Sequence, residues 1–248
     1  MTEEIARYSV RLGDDAMVIA QRLCEWSSRA PTLEEDLALA NVGLDYLGRA
    51  RMCYGYAGEL TGASEDDFAY LRDVREFENA LLFELPKGDF AFTMIRQYLT
   101  DEFEALFFQA LEYSADETLR GMAAKTNKEV AYHLRRSREW LNRLGLGTDE
   151  SHRRAQTALD ELWGYVTELF DMDQLETNLV GANIAVDRAV LLEAWQDTVK
   201  ERIAQASLAV PNYEWQVRGG REGAHTEHLR HLLTEMQSLQ RAYPGQQW

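Results

Sequence analysis

The sequence predicts an all-α fold built from four long helices, and three observations carry that reading. Its 248 residues include only four prolines, Pro31, Pro86, Pro211 and Pro244, and the long proline-free stretches between them favour helix. Apolar residues recur three and four apart through those stretches, the spacing that lines one face of a helix. No run of alternating apolar residues is long enough to argue for a sheet.

The first segment, about residues 5–28, draws one stripe from Leu12, Ala16, Ile19, Ala20, Leu23 and Trp26 and stops before Pro31. Thr32 is an N-cap for the second, which runs from Leu33 to about Leu60 with acids in its first turn. At 1.5 Å per residue that helix is roughly 40 Å long. It carries Gly43, Gly48, Gly55 and Gly58, which weaken it by propensity and call for close packing in return. A looser acidic stretch, 64–83, closes at Pro86. The third helix, 89–113, is rich in aromatics, and the fourth, 117–144, ends at Gly145-Leu146-Gly147. Further helices are expected over about 148–170, 188–206 and 224–243, with 211–223 as a loop. The sum is a single domain: a four-helix bundle over about residues 5–145 and a helical extension over about 148–248.

A formal net charge of −16 opposes non-specific contact with nucleic acid or an anionic membrane. No apolar run approaches the length of a membrane span. Two cysteines, Cys24 and Cys53, with no apolar leader, fit a reducing cytoplasm, and Cys24 reads as a buried inert thiol. Nucleophile-elbow, phosphate-loop and dinucleotide fingerprints are absent. One basic run, Arg135-Arg136 and Arg138 with Arg143, Arg153 and Arg154, interrupts the acidity and reads as a solvated face paired with nearby Glu.

Bundles of long helices hold di-iron sites on inward side chains, two helices giving one Glu each and two giving Glu-x-x-His. Residues three apart share a face, so carboxylate and imidazole converge on one metal. Two such pairs do not occur in the bundle segments. The five histidines are His133, His152, His225, His228 and His231, and the first three helices contain none. Where the second helix needs its pair, Asp45 is followed by Gly48 and Arg49; neither ligates iron, and a guanidinium opposes a dication. The third helix offers Asp101, Glu102 and Glu104, and the fourth offers Glu129 with His133 one residue late. Asp45, Asp101, Glu129 and His133 are the candidates that remain, fewer than a two-iron centre needs, and a surface Glu or a buried His bonded to a carboxylate is the favoured reading of the Glu129–His133 pair. The chain is expected to have no catalytic residue and to hold no metal. Glu222, His225, His228 and His231 form a second cluster with steps of three, but such steps drift by about 60° each, so a polar interface or structural histidines is the favoured reading.

Several further segments fit one pattern: Arg11-Leu12-Gly13-Asp14-Asp15, residues 36–45, Arg96-Gln97-Tyr98, residues 128–135, His225-Thr226-Glu227-His228-Leu229, and Leu239-Gln240-Arg241 through Pro244 to Trp248. Together they resemble the ferritin-like C subunits of bacterial phenylacetyl-CoA ring 1,2-epoxidases, over nearly the whole chain. The resemblance implies a multicomponent, NADPH- and O2-dependent monooxygenase of aerobic phenylacetate breakdown. In it a sister ferritin-like subunit holds the di-iron site, and a reductase with flavin and an iron–sulfur centre supplies electrons. It implies a structural, non-catalytic role for this chain as hetero-oligomeric partner of the catalytic subunit, and leaves open a homodimer when that partner is missing. Apolar side chains beyond what one bundle buries are then expected as partner interface, with Trp163, Trp195, Trp215 and Trp248 as candidates. The competing readings are an independent iron oxygenase using Asp45, Asp101, Glu129 and His133, and a metal-storage protein.

Overall fold

A computed structural model describes residues 1–212 and 215–246. Its helices, in order, are α1 (Thr2–Cys24), α2 (Leu33–Thr61), α3 (Leu81–Glu84), α4 (Phe90–Leu111), α5 (Glu117–Gly145), α6 (Asp149–Leu162), α7 (Gln174–Gly181), α8 (Leu192–Gln205), α9 (Glu227–Met236) and α10 (Ser238–Ala242). No strand occurs among the described residues, and the chain is all-α, consistent with a ferritin-like helical fold. Among the described residues no helix is long and apolar enough to cross a membrane. The backbone divides into two compact units, residues 1–86 with 218–248 and residues 87–217.

Side-chain caps set the starts of α2, α4, α5 and α6, Thr32 as expected. Thr32 accepts from the Glu35 amide, Asp89 from Phe92, Asp116 from Leu119 and Thr148 from Ser151. Gly62, at φ 82°, ends α2 in the left-handed region that glycine adopts without strain.

In the first unit α1 and α2 pack along their length. Gly13 permits this, because a Cβ there would lie 2.5 Å from the Tyr54 ring. Gly43 sits against Cys24 Sγ and the Ala20 carbonyl, and Ser9 Oγ donates to the Cys53 carbonyl at 2.8 Å. Gly48 differs: an added Cβ would meet nothing within 4 Å, so the packing expected at all four glycines fails there. Cys24 is half-buried rather than buried; burial raises its pKa, and pushes that of the buried Cys53 up to about 12.

Residues 218–246 return to this unit and fasten residues 69–86. Gln237 Nε2 donates to the Ala69 and Arg72 carbonyls, Arg241 donates to those of Tyr70, Leu71 and Arg72, and Arg221 grips Asp15 and the Glu78 carbonyl. The final helix begins at Glu227 rather than near 224 and breaks at Gln237. The loose stretch 64–83 is a π turn (Asp67–Leu71), a 3-10 turn (Val74–Glu76) and extended links.

In the second unit α4 packs on α5 and α6, with α8 against α4 and α5. Buried around nearly its whole circumference, α4 is a core helix, in keeping with its aromatic content. Trp195 Nε1 donates to the Leu99 carbonyl at 3.3 Å, and its ring meets Phe170 edge-on. Gly145 lies inside the end of α5 instead of beyond it, since a Cβ there would come 2.2 Å from the Ala206 carbonyl oxygen. The helix expected over 148–170 ends at Leu162 and continues as 3-10 turns, with Gly164 beneath the Trp215 ring. Of the tryptophan candidates for an interface, Trp195 is buried inside this chain, because its ring packs against Phe170, while Trp163 is half-buried and Trp215 exposed. Trp248 lies outside the described residues.

Candidate functional site

On α2 the position that a di-iron fold reserves for a ligand pair is occupied differently. Asp45 is half-buried, Gly48 has no side chain to offer, and Arg49 is buried with its guanidinium 4.4 Å from the centroid of the fully buried Tyr46 ring. A cation held in the protein interior raises the energy of any dication placed beside it.

On α4, Asp101 is fully buried and Gln97 Nε2 donates to its Oδ1 at 2.6 Å. Glu102, named with it as a ligand candidate, is bound bidentate by Arg138 at 2.6 and 2.7 Å. Such a fork-to-fork pair commits both carboxylate oxygens. Glu104 is buried on the same helix. On α5, His133 is buried with the centroid of the Tyr132 ring 6.1 Å away, and Glu129 is half-buried. The same two helices also bury Arg96 and Arg136, the latter 3.6 Å from Met94 Sδ. Of the basic run, Arg143, Arg153 and Arg154 are exposed and pair with Glu139 and Glu150 as expected, Arg138 is tied to Glu102, Arg135 is exposed over Tyr132, and Arg136 is buried instead. Among the described residues, no group of three or more His, Cys, Asp or Glu is placed to hold a metal ion. The donor set does not fit a di-iron centre: one histidine on the long helices, a glycine and an arginine where α2 needs ligands, and one acid bound by arginine.

The C-terminal histidines are placed by the first unit. Glu222 ends a 3-10 turn and Gly223, at φ 73°, separates it from His225, which precedes α9, so the Glu222–His225 spacing is not a helical one. His225 faces an acceptor on each side: Nδ1 lies 2.6 Å from Glu84 Oε2 and Nε2 lies 2.7 Å from the Phe77 carbonyl. Two acceptors require two N–H donors, which makes the ring an imidazolium. Burial opposes that charge, but Glu84 and the Phe77 carbonyl outweigh it and hold the pKa of His225 above its ordinary value. Glu84, itself without solvent exposure, also accepts from Asn79 Nδ2 and the Thr226 amide. Arg22 bonds the Glu84 and His228 carbonyls, while His231 is exposed.

A second knot is one that sequence reasoning misses. Asp14, buried on α1, accepts from Tyr54 Oη at 2.7 Å, from the Glu78 amide at 2.8 Å and from Arg72. Burial, with Asp14 beside it, raises the Tyr54 hydroxyl well above its ordinary pKa. Asp14 stands about 200° around α1 from Leu12, opposite the apolar stripe that the sequence draws, so periodicity gave no signal for it.

An all-helical chain whose long helices bury acids and arginines in place of a full ligand set is a ferritin-like protein without a recognisable di-iron constellation. The chain belongs to the phenylacetic acid catabolic protein family, whose model matches residues 1–248. It is 49% identical over 246 residues, 99% of each chain, to the C subunit of the 1,2-phenylacetyl-CoA epoxidase of Escherichia coli (strain K12).

Proposed function

We propose that this chain is a non-catalytic structural subunit of a cytoplasmic multicomponent oxygenase that epoxidises the aromatic ring of phenylacetyl-CoA, and that it pairs with and stabilises a ferritin-like di-iron subunit. The observation that carries the structural role is α2, where Gly48 and the buried Arg49 stand at the ligand positions. The relative's name, which makes it one subunit of such an epoxidase, supports the assembly. In this reading di-iron, NADPH, flavin and iron–sulfur chemistry belong to partner subunits. Of this chain's buried acids, Glu102 is bound by Arg138, and that carboxylate needs no metal to balance its charge.

Metal content by mass spectrometry on the chain purified alone from iron-replete cells tests the role. Well below one iron per chain is expected. One or two irons, lost in His133→Ala, would support the second reading, an iron-binding oxygenase subunit using Asp45, Asp101, Glu129 and His133. The specific observation in favour of that second reading is that Asp101 and His133 are both buried.

A further inference from the structure

Three leucines of α2 stand open to solvent in one line: Leu33 is 71% exposed, Leu37 59% and Leu44 61%. Steps of four and seven bring Leu37 and Leu44 within about 40° of Leu33 around the helix axis. The line continues through Gly48, where a Cβ would meet only open space, to Arg51, which is turned onto Glu65 at 3.0 Å. Glu34, Asp45 and Glu59 run along one flank, at about 80–120° from Leu33. The opposite side of α2 is the one that meets α1, through Gly43 and Cys53. Leu146 and Val190 are exposed on two other segments, and single exposed apolar side chains are ordinary, whereas an aligned set marks a contact surface.

Apolar anchors at i, i+4 and i+11, followed by a glycine that lets a backbone come close, are the pattern of helix-on-helix recognition. The acidic flank selects the occupant. A two-fold antiparallel pairing of α2 with its own copy would set that flank against itself, acid facing acid, and like charges across a helix pair repel. We infer that the exposed face of α2, formed by Leu33, Leu37, Leu44 and Gly48, receives an amphipathic helix of a different subunit, one with an apolar stripe and lysine or arginine along the flank facing Glu34, Asp45 and Glu59. This deepens the pairing proposed above and rests on it.

The full chain is co-expressed with the ferritin-like di-iron subunit of the proposed pairing, and assembly is read by size-exclusion chromatography with light scattering and by titration calorimetry. The double variant Leu37→Glu/Leu44→Glu is compared with the control Leu146→Glu/Val190→Glu. The α2 variant is expected to keep wild-type helicity and melting temperature and to weaken the complex by roughly a hundredfold, tenfold per anchor; the control should match wild type. Glu34→Lys/Glu59→Lys should slow association and flatten its dependence on salt. Wild-type affinity in the α2 variant overturns the surface while leaving the structural-subunit reading intact. Failure of the wild-type chain to bind the oxygenase subunit overturns both. A homodimer that the leucine substitutions dissolve would put a second copy on this face and overturn the choice of occupant.

Discussion

Glu84 and His225 form a charge pair that solvent does not reach, with donors around the carboxylate and an acceptor on each side of the imidazole. Removing one member of a buried pair leaves the other uncompensated, so Glu84→Ala should destabilise the fold by about 3–5 kcal/mol in denaturant unfolding. The titration has a definite sign. Because the folded pKa of His225 is raised, its contribution is complete below the unfolded value of about 6.5 and disappears as pH climbs through the folded value. Unfolding free energies measured across that window should fall with pH in the wild type and lose that slope in His225→Gln. Neither partner is legible locally, since 141 positions separate them. The tandem histidines stand out by their spacing, yet the one that matters works alone.

At the scale of helices, glycines with similar sequence contexts behave in opposite ways. Gly145→Ala drives a methyl toward a carbonyl oxygen 2.2 Å away and should cost about 1–3 kcal/mol. Gly48→Ala enters open space in a helix interior and should raise the stability of the isolated chain by about 0.5–1 kcal/mol. Thermal unfolding of the two variants checks both. Helix starts were legible because Thr32, Asp116 and Thr148 announce themselves by local chemistry. The 64–86 stretch was not, because its turns are held by Gln237 and Arg241, side chains 165 to 171 positions away that no local period encodes. That α2 offers no Glu-x-x-His pair could be read directly from Gly48 and Arg49, whereas the commitment of Glu102 to Arg138 needed the fold.

Across the whole molecule the first unit is discontinuous in sequence, and its closing segment holds residues 69–86 through side-chain bonds at both ends of that stretch. Deleting residues after Val217 should strip hydrogen-exchange protection from α1 and residues 64–86 while leaving α4 and α5 protected; equal loss in both units would show that they unfold together. The residues of 87–217 have their own core, including Trp195 on Leu99 and the buried Arg188–Glu176 pair at 2.5 Å.

That interruption sets an order on synthesis. A ribosome adding roughly 5–20 residues per second delivers Glu84 long before His225, so the nascent chain carries an unmatched acid and open apolar helices for about 7–28 seconds. The middle of the polypeptide can complete its core first, and the beginning waits for the end. A message truncated near its 3′ end would therefore yield a product whose defect lies at the N-terminus, the part made first and finished last.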